Sequence, residues 1–175
     1  MFRHDPYEEG LWPLPEIVVS RSASLGTRRR GSRLAAVQAL YQIELTDQNV
    51  EDVIKDLRER RSAIAIEVEE PVTPESVDEP FFEEIVTSVA SEFERYDALL
   101  EEALDRRKIA RTEIILRLIL RAAAYEIIDR PDIDPPLSIN EYVAISQAFF
   151  SETQPTFVNG VLDRLAKEAH SDGQG

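Results

Sequence analysis

The sequence contains no cysteine, two histidines and six scattered glycines. Without cysteine there is no disulfide, no thiolate metal ligand and no thiol nucleophile, and this fits a reducing compartment. His4 and His170 lie near the two ends, and neither has a partner at the spacing of a metal site or a catalytic triad. The scattered glycines form no phosphate-cradling loop. We therefore expect no enzyme, cofactor or metal ion, with an acid–base pair hidden among the many carboxylates as the alternative.

Long hydrophobic runs are also absent. No segment reaches the roughly 18 apolar residues that a membrane-spanning helix needs. Asp5, Glu8 and Glu9 precede the first apolar stretch, and residues 17–19 are too few for the apolar part of a signal peptide. The 175 residues are enough for one domain with its own core. We therefore expect a cytoplasmic protein with one principal domain.

Positive charge is scarce but concentrated. The chain has 20 basic and 34 acidic residues and a net charge of -14. Residues 17–43 contain no acid and carry +5, so the rest of the chain carries -19. The five basic residues of this segment are Arg21, Arg28, Arg29, Arg30 and Arg33. This asymmetry predicts one basic site on an acidic body.

Apolar residues recur at the three-four spacing of helices, and no segment alternates as a strand does. We predict an all-α fold, a compact bundle of about seven helices. The predicted helices are 28–46, 50–64, 79 to about Tyr96, a short one after a bend there that ends near Leu104, 112–129, 138–150 and 153–169. Thr27, Asn49 and Asp78 are predicted N-caps, and Ser138 with Glu141 is predicted to form a capping box.

The domain organisation follows from where this periodicity starts and stops. Residues 28–169 form the predicted helical domain, with an acidic, proline-containing loop at 67–80. Residues 1–27 are rich in proline and aromatic side chains without a sustained period, so we expect a flexible extension, with a docked strap as the alternative. Residues 170–175 are expected to be a C-terminal tail.

The arginine cluster is the candidate binding site of the chain. Arg29, Arg30 and Arg33 share much of one helix side, and guanidinium groups bind phosphates and stack on bases. Arginines at a helix start oppose the helix dipole, which argues against a purely structural role. Further along, the amide of Gln38 can read a base edge and Tyr41 offers an aromatic plane. The alternatives are arginines paired with the acidic body, a plain surface glutamine and a half-buried core tyrosine.

Four stretches in this order resemble the NusB family of transcription antitermination factors. They are RRRGSRLAAVQALY at 28–41, LRAAAYEI at 120–127, INEYVA at 139–144 and FVNGVLD at 157–163. The resemblance covers about residues 28–168. It implies a NusB-like all-helical fold with two packed helical halves, and no catalysis or cofactor. It further implies binding of single-stranded boxA RNA with NusE, a small-subunit ribosomal protein, so that RNA polymerase reads through terminators in ribosomal RNA operons.

The resemblance also suggests site residues. The expected RNA-binding residues are Arg28, Arg29, Arg30, Arg33, Gln38, Tyr41 and Phe157. The aromatic ring of Phe157 would stack on a base, or it would belong to the core. The matching residues Asn140, Glu141 and Asn159 are interpreted as structural. Exposed apolar faces are compatible with NusE or with a homodimer, and no local motif identifies the NusE contact.

This sequence departs from the family pattern at two positive positions. Thr156 and Gln147 stand where members often carry lysine, which removes charge from the expected RNA edge. The competing functions are a protein-only adaptor without specific RNA binding, and the NusB-like domain of RNA methyltransferases. The second needs a nucleotide-binding α/β domain downstream, whereas only a short tail follows Ala169.

Overall fold

The computed structural model describes residues 24–67, 77–151 and 153–173, and all regular structure in these ranges is helical. The helices are α1 (Leu25–Leu45), α2 (Val50–Glu67), α3 (Glu79–Ala103), α4 (Ile114–Asp129), α5 (Pro135–Phe149) and α6 (Thr153–Asp172), with a 3-10 turn at Ile109–Arg111. The all-α prediction is confirmed. These ranges hold six α-helices, close to the predicted seven, because one expected helix break is only a kink.

That kink lies in α3. The backbone of Glu92 is not helical, with φ -129° and ψ 27°, yet the helix continues to Ala103. The predicted break near Tyr96 was therefore placed four residues late, and no separate short helix follows it. The start of α3 was predicted correctly, since the Asp78 side chain accepts the Phe81 N–H at 3.3 Å.

Of the other three predicted helix-start signals, two are wrong and one is confirmed. α1 is capped by Ser24, whose Oγ accepts the Thr27 N–H at 3.2 Å, so Thr27 itself lies inside the helix. Asn49 caps α2 by accepting the Asp52 N–H at 2.8 Å. α5 begins three residues before Ser138, so Ser138 and its predicted capping-box partner both lie inside the helix. Their side chains are used for tertiary contacts described below.

The predicted domain boundaries are only partly within the described residues. Residues 25–27 belong to α1 and residues 170–172 belong to α6. Residues 1–23 of the expected extension and residues 68–76 of the expected loop lie outside the described ranges.

α4 is the centre of the core and contacts α1, α3, α5 and α6. Three consecutive alanines, residues 122–124, are fully buried and let neighbouring helices approach closely. Leu118, Ile119 and Leu120 are also buried, and each such side chain contributes about 1.5–3 kcal/mol when removed from water. Around α4, α1 contacts α2 and α3, α5 contacts α6, and α3 also contacts α6. Burial on nearly all sides means that any charged group of α4 requires a partner inside the protein.

Candidate RNA-binding surface

The arginines lie in the first three turns of α1, where no acidic side chain is present. Arg30 is exposed, Arg28 and Arg29 are half-buried, and Arg33 is buried. The four predicted RNA-binding arginines therefore occupy three different environments. Arg28 has no carboxylate within ion-pair distance among the described residues, while Arg29 and Arg30 each have one and Arg33 has two.

Arg29 faces the start of α3. Its Nε lies 3.6 Å from the Asp78 carboxylate, and its guanidinium lies 4.9 Å from the centre of the Phe81 ring. The Nε is buried and makes no hydrogen bond within the described residues. Ser32 adds a second link between the helices, because its Oγ donates to the Asp78 carbonyl at 2.8 Å. These contacts fix the first turns of α1 against α3.

Arg30 points to the other side of α1 and binds Glu141 of α5. Its Nε and Nη2 donate to the two carboxylate oxygens at 2.9 and 2.7 Å. The Arg30 side chain remains 66% exposed, whereas that of Glu141 is only 11% exposed. The hydrogen bonds raise the pKa of Arg30 and lower the pKa of Glu141. Both groups are therefore charged at neutral pH.

Arg33 lies inside the protein. It follows Arg29 by one helical turn, and its guanidinium also lies over the Phe81 ring, at 5.2 Å. Its side chain is 3% exposed, and its Nη2 donates to Glu126 at 2.6 Å. Burial opposes its charge, but the hydrogen bonds and charge of Glu126 outweigh burial and raise the pKa of Arg33. The sequence spacing predicted that Arg33 shares an RNA-binding side of the helix with Arg29 and Arg30. In the structure, Arg33 instead lies in the core.

Glu126 is the fully buried acid that receives Arg33. Ser138 donates to it at 2.8 Å and Tyr142 at 3.1 Å, both from α5. Burial, and then the charge of Glu126, raise the pKa of Tyr142 well above its ordinary value. The sequence interpretation missed this cluster, although a single glutamate in the most apolar helix is the signal that predicts a buried partner.

Gln38 and Tyr41 continue along α1 as half-buried residues. Tyr41 follows Arg30 by eleven residues, close to three turns, so it lies on the same side of the helix about 16 Å further on. Its ring packs partly against the core. The structure therefore brings Arg30, Gln38 and Tyr41 to neighbouring parts of one helix and leaves part of each accessible.

Phe157 lies near the start of α6, half-buried and packed against the core. Thr156 beside it and Gln147 near the end of α5 are exposed. α5 contacts both α1 and α6, so it connects this region with the arginines. No contact between Phe157 and the α1 arginines is present in the described residues.

Other features of the described ranges give no competing site. No group of three or more His, Asp or Glu side chains there could hold a metal ion. A groove of about 600 Å³ between α2 and α3 is lined by charges of both signs, including Lys55, Arg58 and Glu83. None of the helices in this part of the chain has the length and hydrophobicity to cross a membrane.

Comparison with known proteins gives a consistent set of relatives. Residues 30–167 match the family model described as the NusB family. The transcription antitermination protein NusB of Rhizobium rhizogenes is 36% identical over 155 residues, covering 88% of this chain and 95% of that protein. The protein of the same name from Allorhizobium ampelinum is 38% identical over 142 residues, covering 81% and 87%.

Solved structures share the same architecture. NusB of T. maritima superposes with a TM-score of 0.65 and 27% identity, covering 80% of this chain and 91% of that one. A chain from the complex of the antitermination factors NusB and NusE with dsRNA gives a TM-score of 0.66 at 22% identity, covering 81% and 97%. The second similarity is one of fold alone.

Proposed function

The chain belongs to the NusB family of transcription antitermination proteins, and on that basis we propose that it binds boxA-type single-stranded RNA together with NusE. In this role it supports read-through by RNA polymerase in ribosomal RNA operons, in the cytoplasm and without catalysis. The observation that carries the RNA-binding part is the start of α1, where basic side chains remain exposed on an otherwise acidic chain.

The proposed RNA contacts differ between the arginines. Arg28 and Arg30 present guanidinium groups to solvent and bind backbone phosphates, which supply most of the affinity for nucleic acid. Arg29 is held beside the start of α3 and contributes charge from a half-buried position. Arg33 acts indirectly, since its pairing with Glu126 fixes α1. Gln38, Tyr41 and Phe157 supply base contacts and stacking.

NusE is the proposed protein partner. One structural relative is a complex in which NusB and NusE are bound to dsRNA. A second component is also physically reasonable here, because the chain is strongly acidic and its basic surface is small. A partner that adds its own phosphate contacts to the same strand increases affinity without any new contact from this chain.

The alternative function is a protein-only adaptor, and one observation favours it. Three of the four arginines lie near carboxylates, so the free positive charge is smaller than the sequence suggests. An adaptor of this kind would bind NusE but would show no salt-dependent preference for any RNA.

The decisive experiment measures RNA affinity by fluorescence anisotropy at two salt concentrations, with and without NusE. The probes are a boxA-like single strand, a scrambled strand of equal length and a duplex. We expect preference for the boxA-like strand, tighter binding with NusE, and a log–log salt slope of about -0.7 per phosphate contact. Equal, feeble binding to all three probes in both conditions would establish the adaptor function instead.

Arg28→Glu tests the proposed phosphate contact directly. Arg28 forms no ion pair with the described residues, so its replacement leaves the core intact. Arg107→Glu is the control, since Arg107 is an exposed arginine that follows α3 at its far end, about 37 Å from the start of that helix. Arg28→Glu should weaken RNA binding and Arg107→Glu should not, while both keep the helical circular dichroism signal. The double variant Arg29→Glu/Arg30→Glu should weaken binding further.

A further inference from the structure

Arg30 is exposed, but its guanidinium has a defined orientation. Most exposed arginines sample many rotamers, whereas Arg30 forms two parallel hydrogen bonds with one carboxylate, at 2.9 and 2.7 Å. Such two-point pairing fixes the plane of the guanidinium as well as its position. The side chain is therefore accessible and ordered at the same time.

The geometry also determines which donors remain available. Glu141 occupies the Nε–H and one N–H of Nη2 of Arg30. The two N–H groups of Nη1 and the second N–H of Nη2 have no partner in the described residues. Two of these donors, one on Nη1 and one on Nη2, are parallel and form the end edge of the guanidinium, next to the edge that binds Glu141. An anion approaching this end edge from solvent can therefore accept two hydrogen bonds at once.

Glu141 is itself held by the interior. Its Oε2 lies 3.7 Å from Nη1 of Arg33, whose other nitrogens bind the buried Glu126. Ser138, one turn earlier on α5, bonds the same Glu126 at 2.8 Å. The carboxylate that orients Arg30 is thus fixed by a buried network joining α1, α4 and α5.

We propose that Glu141 is a positioning residue for RNA binding, which holds the guanidinium of Arg30 in the orientation that grips a backbone phosphate. This rests on the proposed function of the α1 surface. Glu141 is acidic and lies within the RNA-binding surface, so simple electrostatics assigns it the opposite effect. The two effects can be compared in size.

Removing the negative charge of Glu141 favours phosphate binding. At roughly 8 Å and physiological salt, this gain is about twofold in affinity. Glutamine keeps only one acceptor oxygen, so the two-point pairing is lost and the long Arg30 side chain is released. It must then be immobilised on binding at a cost of about two- to tenfold in affinity. The ordering effect is the larger one, so Glu141→Gln should weaken RNA binding although it makes the protein less negative.

A double-mutant cycle tests this, using a boxA-like single-stranded RNA with NusE present. Glu141→Gln should weaken binding about threefold in the wild-type background and should leave it unchanged or slightly tighter in the Arg30→Ala background. Asp132→Asn is the control, because Asp132 is an exposed carboxylate whose charge reaches Arg29 and which binds Arg130 rather than Arg30. It should not weaken RNA binding.

Two outcomes overturn the inference. One is tighter or unchanged binding by Glu141→Gln. Tighter binding would mean that Glu141 blocks Arg30 from RNA, and unchanged binding would mean that it has no role in RNA binding. The other is equal weakening in the Arg30→Ala background, which makes its role structural. In both, the wild-type protein still binds RNA with the expected salt slope, so the proposed function survives. If the wild-type protein shows no RNA preference, the proposed function fails and this inference fails with it.

The orientation itself can be measured without RNA. In the free protein, the Arg30 Nε–H should give a separate nitrogen–proton NMR signal protected from exchange with water. That signal should disappear in Glu141→Gln, while the Nε–H signal of Arg33 should persist because Glu126 still binds it. An unprotected Arg30 signal in the wild-type protein would overturn the positioning role.

Discussion

Arg33 of α1 and Glu126 of α4 form an ion pair that solvent does not reach. Their side chains are 3% and 0% exposed, and the shortest N···O distance is 2.6 Å. Ser138 and Tyr142 of α5 also donate hydrogen bonds to this carboxylate. All donors to Glu126 in this cluster therefore lie on helices. The pair joins α1 to α4, and the Ser138 and Tyr142 hydrogen bonds add α5, below the proposed RNA-binding surface.

Neutralising Glu126 should be strongly destabilising. Glu126→Gln leaves the Arg33 charge buried with no carboxylate at hydrogen-bonding distance, which costs about 3–5 kcal/mol in the free energy of unfolding. Urea unfolding followed by circular dichroism measures this. Lys167→Ala is the matched control, because Lys167 pairs with Asp163 on the surface and its loss should cost less than about 1 kcal/mol. Similar losses in both variants would contradict the buried-pair assignment.

Restoring lysine at Thr156 or Gln147 should strengthen RNA binding. Both positions are exposed, and a new ammonium group that reaches a phosphate steepens the log–log salt slope by about 0.7. Titrations of Thr156→Lys and Gln147→Lys over a salt series test this. Ser171→Lys is the control, since it adds the same charge about 22 Å further along α6 than Thr156. A slope that stays constant in the first two variants would remove this edge from the RNA-binding surface.

Phe157→Leu should distinguish stacking of Phe157 on an RNA base from packing of Phe157 against the protein core. Leucine keeps most of the apolar contact with the core, so stability should change by less than about 1.5 kcal/mol. Loss of the aromatic face should weaken RNA binding by about 1 kcal/mol or more, since stacking on one base contributes about 1–3 kcal/mol. Phe93→Leu, at another half-exposed phenylalanine, is the control for affinity. If both variants retain full affinity, Phe157 is a core residue only.

Stability should fall at alkaline pH through Tyr125. Burial, and then its hydrogen bond to Glu84, raise the pKa of Tyr125 from 10.0 to about 12. The folded protein holds this proton more tightly than the unfolded chain does. The contribution of protonated Tyr125 to the free energy of unfolding is therefore complete below about pH 10 and is lost as the pH rises to about 12.

The measurement compares urea unfolding of the wild-type protein and Tyr125→Phe from about pH 9 to about pH 12. The free energy of unfolding should fall more steeply with pH in the wild-type protein, because phenylalanine has no proton to release. Parallel pH dependence in the two proteins would show that the hydroxyl is not held in this way.

Much of the fold was predictable because local signals agree with it. The three-four spacing of apolar residues predicted the helices, and Asn49 and Asp78 cap the helices as their side-chain chemistry predicts. The capping-box pattern of Ser138 and Glu141 failed because two prolines and Asp134 start α5 earlier. Both side chains were then free to serve tertiary contacts that have no local signature.

The sequence by itself determined an all-helical domain, its acidic character and one basic segment, since helical periodicity and charge are properties of neighbouring residues. Tertiary structure alone decided which arginines of that segment face solvent. Arg33 finds Glu126 at a separation of 93 residues and Arg30 finds Glu141 at 111. The physical reason is that a buried carboxylate in α4 must be paired, and only the packing of α1 against α4 and α5 selects the arginine that pairs with it.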